Sequence, residues 1–167
     1  MNKIIIIEDD IAICNMIKKF LENNKYSVQY ALNGIEGIHL CKSFVPDLII
    51  LDIMLPGLNG DDVLQKLRKF TNAPVIVVSA KTMVQTKIEL LKMGADDYVT
   101  KPFNVKHLFM RCNNLVNGRK LLQKKYAKQM DNNVDILATN GADQQFLEQC
   151  VTCIEQNIDN PDFDVNM

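Results

Sequence analysis

Tryptophan is absent from the 167 residues, and aromatic residues of all kinds make up 7% of them. No stretch approaches the roughly 18 consecutive apolar residues of a membrane-spanning helix. The chain starts Met1-Asn2-Lys3-Ile4 and enters an apolar strand pattern at once, without the long apolar segment and small-residue cleavage site of a secretory leader. Its five cysteines (Cys14, Cys41, Cys112, Cys150 and Cys153) are odd in number and scattered through apolar segments. They read as reduced thiols of a cytoplasmic protein rather than a disulfide framework. Cys150 and Cys153 form a CxxC pair, but at helical spacing and with no second pair or nearby histidine, so they are helix residues and not a zinc or redox site. A hydrophobic content of 47% fits an ordinary soluble α/β protein, long enough for one domain with a substantial core and a small appendage.

Charge of one sign is missing from two long segments. Residues 101–130 carry eight Lys or Arg and no acid, whereas residues 131–167 carry eight Asp or Glu and no Lys or Arg. The net charge of -1 hides this asymmetry. A basic run on a helix is one footprint of nucleic-acid binding. This one lacks interleaved aromatics and a recognition helix, and reads as a solvated helix end followed by an acidic extension.

Hydrophobic periodicity organises the rest. Ile4–Ile7 is an apolar run expected to form a buried strand. Ile13, Met16, Ile17, Phe20 and Leu21 fall at helical spacing up to Asn23-Asn24. A strand is expected over Tyr26–Ala31, a helix over Ile35–Phe44, a strand ending at Asp52 and a helix over Asp61–Phe70. Pro74 opens the run Val75–Ser79, Thr82–Met93 is helical up to Gly94, and Tyr98–Thr100 is a short fifth strand. A long helix starts at Asn104, a plausible cap, and passes Leu122, and Asp131–Asp143 has the composition of a linker. Phe146, Leu147, Cys150, Val151 and Ile154 then mark one amphipathic helix. Five apolar strands alternating with five helices specify a doubly wound parallel sheet covered on both faces, with a C-terminal helical extension.

In such sheets the ligand site lies beyond the carboxyl ends of the strands. Those ends carry Glu8 and Asp9, Asp52, Ser79 and Lys101. Asp52 closes the apolar run Leu48-Ile49-Ile50-Leu51, where an unpaired charge costs on the order of several kcal/mol. Three carboxylates converging there repel one another unless a cation shares the site. Oxygen-only ligation at a shallow, wet position suits Mg²⁺, with Asp9, Asp52 and the backbone carbonyl of Met54 as ligands and Glu8 acting through metal-bound water. Asp10 is expected to start the first helix. Asp52 can then serve as a nucleophile toward phosphorus, Lys101 can neutralise the transferring phosphoryl oxygens, and the Ser79 hydroxyl can donate to one of them. Ala80 is small enough to leave the approach open. A cis Lys101-Pro102 bond would aim the lysine stem into the pocket.

Ile4–Asp10, Leu51–Gly60, Val75–Ala80 and Gly94–Phe103 together resemble the receiver domain of bacterial two-component response regulators (a CheY-like, flavodoxin-like fold). The resemblance spans about residues 2–123. It implies that Asp52 is the phosphoacceptor, fed by the phosphohistidine of a histidine kinase and cleared by slow hydrolysis. Such a domain catalyses its own phosphorylation without being a conventional enzyme. It implies further that Glu8 and Asp9 are the acidic pair, Ser79 the hydroxyl switch, Tyr98 the aromatic switch that turns inward on phosphorylation, and Lys101 the family's lysine. Met54 and Lys81 flank the path of attacking water and are expected to tune the phosphoryl lifetime. The face made by the fourth helix, fifth strand and fifth helix is expected to remodel and to pair in a homodimer.

Residues 124–143 are read as helix end and linker. Residues 144–167, especially Glu155–Val165, resemble the start of an AraC-type helix-turn-helix domain, a combination found in hybrid two-component proteins that unite sensor, kinase, receiver and output. The helix-turn-helix pairs themselves are not present, so this chain is expected to bind no specific DNA and to touch no membrane. It would control transcription as the cytoplasmic part of a larger protein, either a hybrid sensor or a free-standing regulator with the same output domain. Two other readings compete. A haloacid-dehalogenase-type Mg²⁺ phosphohydrolase also uses a strand-end aspartate, but wants a second carboxylate where this chain has Met54, and a cap over the site. A receiver serving only as an interaction module would be expected to lack one of the phosphorylation residues.

Overall fold

The computed structural model describes residues 1–81 and 83–137, with side chains through Lys125. Five strands, β1 (Lys3–Ile7), β2 (Ser27–Ala31), β3 (Leu48–Asp52), β4 (Val75–Ser79) and β5 (Asp97–Thr100), alternate with α1 (Ile11–Asn23), α2 (Gly34–Phe44), α3 (Gly60–Arg68), α4 (Val84–Lys92) and α5 (Val105–Leu137). All strand pairings are parallel, in the order β2-β1-β3-β4-β5. The chain divides into a unit of Met1–Gly118, which holds the sheet, and a unit of Arg119–Met167, whose described part is helical. No helix among the described residues is long and apolar enough to cross a membrane.

Side-chain alternation along the strands separates two cores. Ile5, Ile7, Ile49, Leu51, Val75 and Val77 pack with Cys41 of α2, Val63, Leu64 and Leu67 of α3 and Leu90 of α4. On the other face Ile4, Ile6, Leu48, Ile50, Ile76 and Val78 pack with Cys14, Ile17 and Leu21 of α1 and Leu108, Cys112 and Val116 of α5. Both faces are covered, so β3 and β4 are buried at every residue. The runs of uninterrupted Ile, Leu and Val are the sequence consequence of that double burial. Cys14, Cys41 and Cys112 are free thiols inside these cores, each pushed up to about 12 by burial. Cys150 and Cys153 lie outside the described residues, as do the expected helix over Phe146–Ile154 and the AraC-like segment.

Three of the helices start at a capping side chain, whereas α3 and α4 have no side-chain cap. Asp10 accepts hydrogen bonds from the amides of Ala12 and Ile13 at 2.8 and 3.2 Å, as its place before α1 predicted. Asn33 caps α2 through the amide of Glu36 at 2.9 Å, and Asn104 accepts from the amide of Lys106 at 2.9 Å. Three expectations need adjusting. β2 begins at Ser27, because Lys25 has φ +66 and turns the chain before Tyr26 joins the ladder. The α4 expected from Thr82 is observed from Val84. The linker expected from Asp131 is helical as far as Leu137, since Asp and Asn weaken a helix without stopping it and no Gly or Pro intervenes before Gly141.

Val45, which ends α2, adopts φ +49 and ψ +77 with 69% of its surface exposed. A β-branched residue in this left-handed region carries roughly 1–2 kcal/mol of steric strain, and its exposed side chain returns little by burial. Glycine removes the strain but loses about 0.5–1 kcal/mol in unfolded-state entropy. Val45→Gly is therefore expected to raise stability by about 0.5–1 kcal/mol. The check is the midpoint of urea unfolding, and a lowered midpoint would contradict this account.

Candidate functional site

Register and strand order bring the candidate residues together. β1 and β3 are neighbours, and their connections leave on opposite faces of the sheet, which opens a crevice at their carboxyl ends. Glu8 follows β1 directly, and Asp52 ends β3 on the same face as Leu48 and Ile50. Lys101 follows β5 and leads into a cis Lys101-Pro102 bond. Glu8 and Asp52 are each 3% exposed, whereas Asp9 is exposed at the rim.

One ammonium holds the two buried carboxylates. Lys101 Nζ donates to Glu8 Oε1 and Oε2 at 2.8 and 2.7 Å and to Asp52 Oδ2 at 2.8 Å. The other oxygen of Asp52, Oδ1, accepts from the amide of Met54 at 2.9 Å. Burial pushes the Glu8 carboxyl above its ordinary value, and the charge of Asp52 adds to this, while Lys101 pulls the other way. Burial alone would lower Lys101, but its hydrogen bonds to Asp52 and Glu8 outweigh that and hold it raised. The ammonium therefore stays charged across the physiological range. Cys14, one turn into α1, donates its thiol to the Glu8 carbonyl at 3.3 Å.

The loop from β3 to α3 closes tightly beside Asp52. The Gly60 amide donates to the Ile53 carbonyl at 3.1 Å, and a Cβ on Gly60 would stand 2.4 Å from the Asp52 carbonyl oxygen and from Ile53 Cα. Backbone atoms cannot yield as a side-chain tip can, so only glycine fits there. Met54 in this loop leaves its side chain 55% exposed at the mouth of the site.

Ser79 is fully buried at the end of β4, and its Oγ accepts from the Lys81 amide at 3.1 Å. The carbonyl of the same Lys81 accepts the Tyr98 hydroxyl. Tyr98 is 8% exposed, so its ring already lies inward. Both expected switch residues are thus tied to one residue, whose own side chain, like Ala80, is exposed. An apolar cavity of about 410 Å³, lined by Ile13, Met16, Ala80, Lys101, Pro102 and Phe103, lies alongside.

Glu8, Asp9 and Asp52 can each offer an oxygen within 4.8 Å of the others. Three carboxylates against the single ammonium leave two negative charges, the donors are hard oxygens, and one is solvent-exposed. That set fits a divalent cation such as Mg²⁺.

Sequence reasoning missed the polar ties that fix the opposite end of the sheet. Arg68 donates from Nε to the Gly94 carbonyl at 2.8 Å, from one terminal nitrogen to the Ala73 carbonyl at 2.7 Å and from the other to Asp96 at 2.8 Å. Asp96 also accepts from the Val75 amide at 2.8 Å. It missed as well the Arg111–Asp97 pair at 2.5 and 2.6 Å. For Arg68 the signal in the sequence is no more than a basic residue at a helix end.

Residues 4–113 match the family model described as the response regulator receiver domain, and the chain belongs to that family. It is 42% identical over 119 residues to the DNA-binding dual master transcriptional regulator RpaA of Synechocystis sp., covering 70% of this chain and 49% of that protein. It is 30% identical over 165 residues to Histidine kinase P4 of Formosa agariphila, covering 97% of this chain and 12% of the kinase. The chain thus spans half or less of these two curated relatives. Among solved structures, the receiver domain of Francisella response regulator 1452 is 38% identical with a TM-score of 0.69, covering 71% of this chain and 99% of that one. The BeF3-activated receiver domain of Klebsiella pneumoniae RstA is 30% identical with a TM-score of 0.66, covering 69% and 98%.

Lys101→Met would leave Glu8 and Asp52 buried without their cation. Loss of one partner from a buried ion pair is expected to destabilise by roughly 3 kcal/mol near pH 7. In the variant the folded protein binds protons more readily than the unfolded chain, so stability rises as pH falls through the raised pKa of Glu8. Urea unfolding of both proteins at several pH values checks this: the deficit should shrink toward pH 4, and a constant deficit would refute the pairing account.

Proposed function

We propose that Asp52 accepts a phosphoryl group from the phosphohistidine of a histidine kinase, and that the altered charge at the site resets the face built from α4, β5 and α5. The observation that carries this reading is the single Lys101 ammonium bonded to both Glu8 and Asp52 beneath an exposed Asp9. In the transfer, a carboxylate oxygen of Asp52 attacks phosphorus while the bond from phosphorus to the imidazole nitrogen breaks; with a proton already on the other ring nitrogen, the products are an acyl phosphate and neutral imidazole. The Met54 amide fixes the rotation of the Asp52 carboxylate. Lys101 would neutralise charge on the incoming phosphoryl oxygens, and the Ser79 hydroxyl, whose oxygen accepts from the Lys81 amide, would donate to one of them. Asp9, Asp52 and the Met54 carbonyl would hold Mg²⁺, which supplies charge neutralisation at phosphorus. Glu8 would act through a metal-bound water, since both its oxygens already serve Lys101. Met54 and Lys81, exposed on either side of the site, would set access for hydrolytic water and hence the phosphoryl lifetime.

The apolar cavity beside Lys101 supports docking of a partner that presents its phosphohistidine from an apolar surface. Similarity to a histidine kinase across 97% of this chain supports a parent protein that contains both kinase and receiver. The AraC-like sequence of residues 144–167, and relatives named as transcriptional regulators, support control of transcription as the output.

Incubation with Mg²⁺ and acetyl phosphate, followed by intact-mass measurement, should give a gain of one phosphoryl that is absent in Asp52→Ala. A folded wild type that gains no mass would sink the assignment.

Val84, Ile88 and Leu91 form an exposed apolar row along α4, at 70%, 40% and 45% exposure. That row supports homodimerisation through the α4–β5–α5 face. Sizing profiles with and without a phosphoryl analogue should differ, and an identical monomer in both would remove this part of the reading.

A further inference from the structure

Tyr98 is anchored at its hydroxyl by the Lys81 carbonyl, but a second group holds its ring. Lys87, on the first turns of α4, places its ammonium 5.1 Å from the centre of the Tyr98 ring. That distance lies within the roughly 6 Å over which an aromatic face attracts a cation. Lys87 is half-buried, which strengthens the attraction by stripping part of the ammonium's water. The neighbouring carboxylate of Asp97 is taken by Arg111 and by the Tyr98 amide. Lys87 and Tyr98 together wall a cavity of about 280 Å³, with Thr100, Asn104, His107 and Arg111 on its other sides.

We propose that Lys87 is a positioning residue that latches Tyr98 inward, so that the placement of α4 and the state of the phosphoacceptor site are joined through one ring. This rests on the phosphoacceptor reading above for its meaning, though not for its geometry. Lysine lies over an aromatic ring at three other places on this surface, at Phe44, Tyr30 and Phe70. None of those rings bonds to the loop that carries Ser79. The Tyr98 ring does, so a contact that would be incidental elsewhere acts here on the switch.

The contact exists only while the ring lies inward. It therefore favours one of two conformers, and a contact can shift an equilibrium only by its difference between the two states. Removing it should raise the outward fraction about two- to fivefold. Coupling is reciprocal: whatever displaces α4 lifts Lys87 and frees the ring, and whatever pulls the ring inward seats α4. Phosphorylation acting on Ser79 and partner binding on α4 would thus meet at Lys87.

The test uses the full chain labelled with 3-fluorotyrosine, in which the Tyr98 resonance among four tyrosines is assigned by Tyr98→Phe. Fluorine relaxation dispersion on that resonance reports the minor, outward conformer. Lys87→Gln should raise the outward fraction about two- to fivefold, and Lys87→Arg, which keeps a cation over the ring, should restore the wild-type value. An unchanged Tyr98 resonance in Lys87→Gln, or equal behaviour of Lys87→Arg and Lys87→Gln, would overturn the latch. Far-UV circular dichroism on the same samples confirms that each variant folds. Intact mass after acetyl phosphate separates the two readings, since a wild type without an adduct removes the phosphoacceptor while the fluorine data still decide the latch.

Discussion

Everything at the carboxyl edge of the sheet depends on one ammonium group. Lys101 binds Glu8 across 93 residues of sequence and Asp52 across 49. Both carboxylates are almost wholly buried, and their mutual repulsion would be costly at that depth. The ammonium offsets one of the two buried charges, and with Asp9 exposed at the rim the three carboxylates keep an excess of two negative charges. The site is therefore set up before a phosphoryl donor arrives, with little reorganisation left for the moment of transfer. The doubly wound topology is what makes this possible, because it delivers three strand ends to one crevice and shields them from both faces.

From that crevice the connection to the surface is short. Ser79 bonds to the amide of Lys81 and Tyr98 to its carbonyl, so one residue links the end of β4 to the Tyr98 side chain of β5. In the proposed phosphorylated state the Ser79 hydroxyl would donate to a phosphoryl oxygen, and a Ser79 side chain that swings toward phosphorus would leave the Lys81 amide. The Lys81 amide and carbonyl belong to adjacent peptide planes that meet at one Cα, so a shift of the first would reach the second, and the Tyr98 hydroxyl bonded there, across a single residue. No long chain of contacts is needed, since one loop of a few residues has both ends in play.

Much of this was legible from the sequence because the strongest terms are periodic. A strand buried on both faces must be written in uninterrupted Ile, Leu and Val, and a carboxylate at its end stands out against them. Glu8, Asp9, Asp52, Ser79 and Lys101 stand out as candidates that way, and the crevice needed only the rule that ligands sit beyond strand ends. Other features leave weaker traces. Arg68 reads as an ordinary helix-terminal cation, yet it ties α3 to Gly94, Ala73 and Asp96, because its reach depends on the register between β4 and β5. The contact of Cys14 with the Glu8 carbonyl was hidden behind a residue type that reads as core. The extension of α5 to Leu137 was missed because Asn and Asp were weighed as breakers, when they cost a helix only tenths of a kcal/mol each.

Lys87 belongs to the same illegible class, and its case shows what the sequence omits. Position 87 lies on a half-exposed helix face where lysine is the commonest choice for solubility, so no pattern marks it. Its significance comes from what lies under it. Tyr98 is 8% exposed and bonded at its tip to the loop behind Ser79, and in the proposed latch a charge over its face would bias the ring without touching phosphorus or metal. Chemistry at Asp52 demands particular residues and so writes itself into the sequence. Coupling from that chemistry to α4 demands only that some contact differ between two positions of Tyr98, and many side chains could meet that demand. In the proposed function, conversion of phosphorylation into a surface change would for that reason be the part least constrained in residue type and most dependent on geometry.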